Sequence, residues 1–205
     1  MQGFRGTLAV LATGLALMAP AQAQDTTSDL VRRAVHVCDA CHSEQGLAKD
    51  PGNPSLAGQM PQYLQRQLKD FRAQTRSEAN LKAYMWGVSA LLDDAAITGL
   101  AEYYAAQPAR PGVAGPPKLV AAGRAIFQGG LPQRGVRACT ECHGDKAEGE
   151  AGFPRLAGQK ASYVLGQLRQ FKTTPLRKHG VLMKDEMRAL SDADMKALAA
   201  YVQSL

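Results

Sequence analysis

Apolar side chains recur along much of the chain at intervals of three and four residues, which is the period of an amphipathic helix. The pattern occurs as two similar series of three segments, and no segment alternates convincingly enough to predict a strand. The predicted helices begin near Ser28, Pro61 and Asp93 or Asp94, cover residues 119–127 and 163–171, and end with one capped by Ser191. On the first of them, the side chains predicted to face inward are Leu30, Val31, Ala34, Val35 and Cys38. The sequence therefore predicts an all-α fold.

The two series are copies of one module. A Pro-x-Leu-Ala-Gly-Gln block at residues 54–59 returns at residues 154–159, and a Cys-x-x-Cys-His motif at residues 38–42 returns at residues 139–143. Offsets of 100 and 101 residues, in the same order along the chain, indicate a tandem repeat. Each module is small and poor in large apolar side chains, so a bulky apolar cofactor would complete its core.

A short segment rich in proline and glycine joins the modules. Residues 107–117 contain four prolines and two glycines, which disfavour both helix and strand. This composition predicts a semi-rigid, extended linker. We therefore predict an N-terminal domain over residues 24–106 and a C-terminal domain over residues 118–205.

The first 23 residues have the pattern of a secretory signal peptide. Arg5 precedes a short apolar stretch, and Ala21-Gln22-Ala23 forms a cleavage site, with cutting predicted after Ala23. An uncleaved anchor is the alternative, but the stretch is shorter than the roughly 20 residues of a membrane span. We expect an exported, periplasmic protein with at most peripheral membrane association.

All four cysteines lie in the two Cys-x-x-Cys-His motifs, which comprise Cys38, Cys41 and His42 in the first module and Cys139, Cys142 and His143 in the second. This pattern attaches c-type haem, because each thiol adds to one vinyl group and the following histidine can ligate iron. A redox dithiol or a disulfide would not need the histidine. Zinc-binding Cys-x-x-Cys pairs lie about 15–20 residues apart, whereas 97 residues separate Cys41 from Cys139. We expect two covalently bound haem c groups.

Each module also offers a methionine as the sixth iron ligand. Met85 and Met183 lie at matching positions, 43 and 40 residues after the motif histidines. The rivals, none of which is repeated in the other module, are Met60, Met187, His36 and His179. His/Met ligation raises the reduction potential of haem iron. It also fills the coordination sphere, so an iron held in this way carries electrons and does not bind substrate.

Pro54 and Pro154 begin the two repeated blocks. A ligating imidazole normally donates its other N–H to a carbonyl group, which fixes the ring orientation. Either proline carbonyl could accept such a bond. A simple turn proline is an equally good interpretation of the sequence.

The positive charge of the chain is concentrated in its second half. Residues 24–106 carry 8 basic and 10 acidic side chains, a net charge of −2, whereas residues 107–205 carry 15 and 8, a net charge of +7. A basic domain can bind nucleic acid, but an exported location argues against that partner. We interpret the basic half as a face for an acidic partner or a membrane surface, with plain solubility as the alternative.

With both cysteine motifs, both methionines and both Pro-x-Leu-Ala-Gly-Gln blocks, nearly all of the mature chain resembles the dihaem cytochrome c4 family. The resemblance implies two tandem class I cytochrome c domains whose haem propionates meet near the domain interface. It also implies two ligand sets, with His42, Met85 and the Pro54 carbonyl at haem one and His143, Met183 and the Pro154 carbonyl at haem two. Members of that family are periplasmic electron carriers, so the implied redox partners are a membrane-bound terminal oxidase and a bc1-type donor.

Two other functions stay open. An electron-accepting subunit of an oxidoreductase complex, such as a sulfide-oxidising flavocytochrome, resembles the same family. A dihaem enzyme would need an open iron site, and the duplicated methionines argue against one. The first module departs from the family pattern at Ser43, where glycine is usual, and in having no proline just before Met85.

Overall fold

The computed structural model describes residues 28–76, 82–150, 152–173 and 178–205, so the predicted signal peptide lies outside the described residues. Within these ranges the helices are α1 (Asp29–His42), α2 (Pro61–Arg72), α3 (Lys82–Ala90), α4 (Asp94–Ala105), α5 (Pro117–Gly129), α6 (Thr140–His143), α7 (Ala161–Thr173), α8 (Val181–Arg188) and α9 (Asp192–Gln203). The described part of the chain holds isolated β-bridges, such as Leu131 with Val136, and no strand. The predicted all-α class is confirmed.

The predicted helix starts coincide with capping interactions. The Ser28 hydroxyl and the Asp93 carboxylate each accept a hydrogen bond from the backbone N–H three residues later. Ser191 forms a full capping box with Asp194. One prediction for α1 is wrong: Leu30 is 47% exposed, whereas Val31 beside it is 6% exposed and belongs to the core.

The apolar periodicity did not predict α3, α8 or the four-residue α6, and α3 and α8 each carry one of the candidate methionines. Met85 lies on α3 and Met183 on α8. α8 begins with Val181 and Leu182, which are adjacent and both exposed. Helices of eight or nine residues with apolar side chains outside the 3–4 spacing give no clear amphipathic pattern.

The second module is built around the crossing of α5 and α9. Gly123 lies where a Cβ atom would collide with the backbone carbonyl oxygen of Ala197, so the two helices touch backbone to backbone. Beside this contact the rings of Phe127 and Tyr201 pack 5.4 Å apart. Further buried apolar side chains of α5 and α9 surround this contact, and others come from α7, α8 and the loops.

The first module has one helix fewer than the second in the described part of the chain, and its core cluster is smaller. Here α1 packs on α4, and a Cβ atom on Gly99 would lie 2.5 Å from the Val31 Cγ2 methyl. The core includes Val35, Leu64 and Leu100. α1 itself ends in the cysteine motif, whereas in the second module a loop separates α5 from the motif on α6.

The linker between α4 and α5 contacts both modules. The Val113 N–H donates to the Gln203 carbonyl at 2.8 Å. Arg110 donates to the Ala48 carbonyl at 3.1 Å. These contacts fix the linker against the C-terminus of the chain and against the first module. Among the described residues, none of the helices has both the length and the apolar character that a bilayer span requires.

The modules also contact each other directly. Ser162 donates to the Pro51 carbonyl at 2.8 Å, and Lys160 donates to the Ala48 carbonyl at 3.1 Å. His179 donates from Nδ1 to the Asp70 carboxylate at 2.8 Å. This hydrogen bond joins a half-exposed histidine of the second module to a buried carboxylate of the first.

Candidate functional site

Residues of both modules line one cavity of about 640 Å³. Its volume lies within the range of cofactor pockets. The lining includes all four motif cysteines and both motif histidines, and most of the remaining lining side chains are apolar. The two motifs therefore face a shared space between the modules.

The motif histidines occupy equivalent positions. His42 ends α1 and His143 ends α6, and they are 8% and 5% exposed. The Nδ1 atom of His42 lies 2.9 Å from the Pro54 carbonyl oxygen, and that of His143 lies 2.9 Å from the Pro154 carbonyl oxygen. Because a carbonyl oxygen can only accept, Nδ1 must carry the proton, which leaves the Nε2 lone pair free.

Burial lowers the pKa of both histidines. Transfer from water disfavours the charged imidazolium, so the rings are neutral at pH 7. A neutral imidazole is the form that ligates a metal. Geometry and protonation state thus both prepare these two rings for a metal at Nε2.

The four cysteines are unpaired. Burial raises the pKa of Cys38 to about 11 and that of Cys139 to about 12. A redox-active dithiol needs a thiol whose pKa is lowered, so the environment disfavours that interpretation. Within the described ranges no three His, Cys, Asp or Glu side chains are grouped so that they could hold a metal ion.

The candidate methionines reach the same cavity. Met85 and Met183 are both partly buried and belong to its lining. Met187 lines it too and is 2% exposed, so it stays a structural rival of Met183. Its position in the first module is taken by Ser89, whose buried hydroxyl has no hydrogen-bond partner among the described residues.

The other candidate iron ligands differ in their position relative to the cavity. His36 is exposed on α1. Met60 forms the N-cap position of α2 and is not part of the cavity lining. His179 borders the cavity and donates from Nδ1 to Asp70, so its Nε2 atom stays free and His179 remains a rival of Met183.

Two arginines in the cavity wall fit an anionic group. Arg66 and Arg155 both have a buried Nε atom without a hydrogen-bond partner in the described part of the chain. Buried donors without partners are costly, and guanidinium groups pair well with carboxylates. Haem carries two propionate carboxylates, so the donor set of this cavity matches that cofactor.

The Pro-x-Leu-Ala-Gly-Gln repeat is evident in the sequence, but the hydrogen bonds that its glutamines make between the modules are not. The side chain of Gln59 accepts from the Arg155 backbone N–H at 2.7 Å and donates to the Arg155 carbonyl at 2.9 Å. Gln159 makes the same two bonds to Ser55, both at 3.0 Å. Each glutamine therefore holds the residue that follows the proline of the other module.

Comparisons with known proteins agree with this site. The family model described as cytochrome c matches residues 120–205. Over 173 residues the chain is 38% identical to cytochrome c4 of Pseudomonas aeruginosa, covering 82% of this chain and 84% of that protein. The chain belongs to the cytochrome c4 family. A crystal structure of reduced cytochrome c4 from Pseudomonas stutzeri matches with a TM-score of 0.77 and 33% identity, covering 85% of this chain and 96% of that one.

Membership of the cytochrome c4 family establishes the cofactor and the general role. The chain is an electron-transfer cytochrome of class I fold that carries two haem c groups at its two Cys-x-x-Cys-His motifs. The chain is also similar to a thiosulfate dehydrogenase electron acceptor of Thiomonas intermedia, with 33% identity over 80% of this chain and 76% of that protein.

Proposed function

We propose that this chain is a periplasmic electron carrier whose two irons are both six-coordinate. In this proposal His42 and Met85 ligate the first iron, and His143 and Met183 ligate the second. Cys38 and Cys41, and Cys139 and Cys142, hold the two porphyrins covalently. The observation that carries the proposal is the duplication of a buried, correctly protonated histidine and a methionine around one cavity.

The chain's own residues prepare each iron site. Donation from Nδ1 to Pro54 or Pro154 fixes the tautomer and the ring orientation of the histidine, and it raises the basicity of Nε2. A methionine thioether is a soft, neutral ligand that favours the reduced iron. The haem would supply the one-electron Fe(III)/Fe(II) couple, and a histidine and a methionine held together on each iron would leave no place there for a substrate.

Replacing the methionines one at a time tests the ligand sets. We expect Met85→Ala and Met183→Ala each to lower the potential of one haem by more than about 59 mV, a tenfold change for a one-electron couple. Spectroelectrochemical titration, with the sulfur-to-iron charge-transfer band as a second readout, measures both effects. Met187→Leu and Met60→Leu are the matched controls and should leave both potentials unchanged.

The wild-type spectrum tests the carrier role itself. Two low-spin haems with sulfur ligation are expected in both oxidation states. A high-spin haem that readily binds cyanide or peroxide would contradict the proposal, because such an iron has an open position. A potential that falls in Met187→Leu instead of Met183→Ala would move the second ligand to Met187.

We further propose a terminal oxidase as the electron acceptor, a bc1-type complex as the donor and the basic second module as the docking face. The net charge of +7 on residues 107–205 supports an acidic partner. The rate of electron transfer should then fall as ionic strength rises, because salt screens attraction between exposed charges. A rate that does not depend on salt would contradict charge-guided docking.

A second candidate role is electron acceptor of a thiosulfate dehydrogenase. It is favoured by the similarity to the Thiomonas intermedia protein and by a structural match to thiosulfate dehydrogenase TsdBA of Marichromatium purpuratum, with a TM-score of 0.71. This chain covers 36% of that longer chain. Stopped-flow reduction by a purified thiosulfate dehydrogenase, compared with oxidation by membranes that contain a terminal oxidase, distinguishes the roles by which reaction is fast.

A further inference from the structure

The peptide group between Pro54 and Ser55 is hydrogen-bonded at both ends. Its carbonyl oxygen accepts from His42 Nδ1 at 2.9 Å, and its N–H donates to Gln159 Oε1 at 3.0 Å. A continuous path of hydrogen bonds therefore runs from the histidine of the first module to a side chain of the second.

The second module contains the mirror arrangement. The carbonyl oxygen of Pro154 accepts from His143 Nδ1 at 2.9 Å, and the N–H of the same peptide group, on Arg155, donates to Gln59 Oε1 at 2.7 Å. The two paths cross the interface in opposite directions. Neither depends on the identity of the residue after the proline, because only its backbone takes part.

The orientation of both amide groups is fixed by their partners. A backbone N–H needs an oxygen and a backbone carbonyl needs an N–H, so each glutamine has only one arrangement that satisfies both bonds. Each Oε1 also accepts the backbone N–H of the next residue, at 2.9 Å from Met60 and 3.1 Å from Lys160. Gln59 and Gln159 are both 7% exposed, so water does not compete for these bonds.

Hydrogen bonds in such a chain strengthen one another, most of all in a buried site. When the peptide N–H donates to a glutamine, the carbonyl oxygen of that peptide becomes a better acceptor for the histidine. A stronger bond at Nδ1 makes the imidazole a more basic ligand. A more basic ligand favours Fe(III), so the intact path holds the haem potential down.

We propose that Gln59 and Gln159 are crossed positioning residues, each of which sets the histidine hydrogen bond, and with it the reduction potential, of the haem in the opposite module. This inference rests on the proposed ligation by His42 and His143. It adds to that proposal a structural connection between the two redox sites. A substitution of one glutamine therefore changes the reduction potential of the haem in the other module.

Gln159→Leu and Gln59→Leu test the proposal in the haem-loaded protein. Leucine keeps most of the side-chain volume and removes both hydrogen bonds to the other module, together with the one that Oε1 accepts from the next residue in the chain. We expect Gln159→Leu to raise the potential of the haem on Cys38 and Cys41 and leave the other unchanged, and Gln59→Leu to do the reverse. NMR-monitored redox titration resolves the two haems, whose signals are assigned from Met85→Ala and Met183→Ala.

Hydrogen exchange of the histidine rings provides a readout that a general loss of packing would not reproduce. In reduced protein labelled with ¹⁵N-histidine, the Nδ1–H of His42 should exchange about tenfold faster in Gln159→Leu, as expected for the loss of one or two net hydrogen bonds. The Nδ1–H of His143 should exchange at its wild-type rate. Ser162→Ala is the matched control, because it removes a 2.8 Å bond across the interface to Pro51 and does not touch either path.

The outcomes separate the two proposals. Shifts confined to the haem opposite each substituted glutamine support the crossed positioning role. No shift, equal shifts at both haems, a shift of the haem in the same module, or an equal shift in Ser162→Ala would overturn it. Failure of the proposed ligation would be seen earlier, in the wild-type spectrum and in Met85→Ala and Met183→Ala, before any glutamine is changed.

Discussion

The first and second modules place their histidines in the same way within different helical frames. In both, the histidine Nδ1 atom lies 2.9 Å from a proline carbonyl. The frames differ because α5 and α9 touch backbone to backbone at Gly123, whereas α1 and α4 meet through the Val31 side chain at Gly99. Among the described residues, the core cluster of the second module has fourteen buried members and that of the first has six.

The comparison separates the features that the two haem sites share from those in which the modules differ. The hydrogen bonds at the histidine are the same in both copies, while the helix that precedes the motif has diverged. The family model for cytochrome c matches the second module, residues 120–205, which has the fuller core. With less buried apolar surface of its own, the first module must depend more on its haem and on the second module for stability.

The largest expected loss of stability distinguishes the crossing of α5 and α9 from the crossing of α1 and α4. Gly123→Ala should lower the free energy of unfolding of the second module by about 3 kcal/mol, because the new Cβ meets a backbone carbonyl that cannot move aside. Gly99→Ala should cost about 1 kcal/mol or less, since a Val31 methyl can shift and alanine favours helix. Urea denaturation followed by circular dichroism measures both. Equal losses would show that the crossings are equivalent after all.

The residue after each haem histidine differs between the modules and gives the next effect. Ser43 has φ 60° and ψ 166°, a region that is almost restricted to glycine, and its counterpart Gly144 has φ 79° and ψ 159°. We expect Ser43→Gly to stabilise the first module by about 1 kcal/mol and Gly144→Ala to destabilise the second by about 2 kcal/mol. Thermal unfolding monitored at the haem absorbance checks both signs. A destabilised Ser43→Gly would mean that the Ser43 hydroxyl, which accepts from the Lys49 N–H, outweighs the backbone strain.

A smaller effect is expected at the hydrogen bond between His179 and Asp70, which joins the two modules. His179→Ala leaves the Asp70 carboxylate buried with one donor fewer, which should cost about 1 kcal/mol because the histidine itself is 42% exposed. His36→Ala, an exposed histidine on α1, is the control and should change nothing. Urea midpoints of the haem-loaded variants provide the measurement. A midpoint that stays at the wild-type value in His179→Ala would show that the pair does not help to hold the modules together.

The smallest effect concerns a surface ion pair that both modules share. Arg72 bonds Asp94 in the first module and lowers the pKa of that carboxyl group; Lys196 and Arg169 do the same for Asp192 in the second. A depressed pKa stabilises the fold above the ordinary value of 3.8, and this contribution is lost as pH falls through the folded-state pKa. Asp94→Asn and Asp192→Asn should therefore flatten the acid limb of the stability profile slightly and equally, since exposed pairs contribute little. A clearly larger change in one variant would reveal a difference between the modules.

Sequence periodicity predicted the helical class, and the ends of several helices could be read from their capping residues. These features are local, because Ser28, Asp93 and Ser191 cap their helices within three residues along the chain. The bonds of Gln59 and Gln159 reach residues about 100 positions away, and no local pattern signals them. The sole hint was that the repeated blocks end in a glutamine, a polar residue that a simple turn does not require.

The hydrogen bond between Asp70 and His179 could not be predicted from the sequence, for a different reason. It occurs once, and the residue at the position of Asp70 in the second module is Gln170, so the search for repeated chemistry passed over it. Its two members come together because α2 of one module faces the segment before α8 of the other. Repeated sequence shows which residues the two modules have in common. It does not show a contact to which each module contributes a different residue.

The crossed glutamines have a consequence for how two copies of such a module come to be joined. A contact in which residue i of one copy binds residue j of the other, and j binds i in return, is the isologous contact of a two-fold symmetric dimer. A single module that paired with its own copy would make both exchanges from one gene, without a connecting segment. Joining the two copies in one chain keeps the contact at a fixed ratio and allows the two copies to differ, as they do at Ser43 and Gly144.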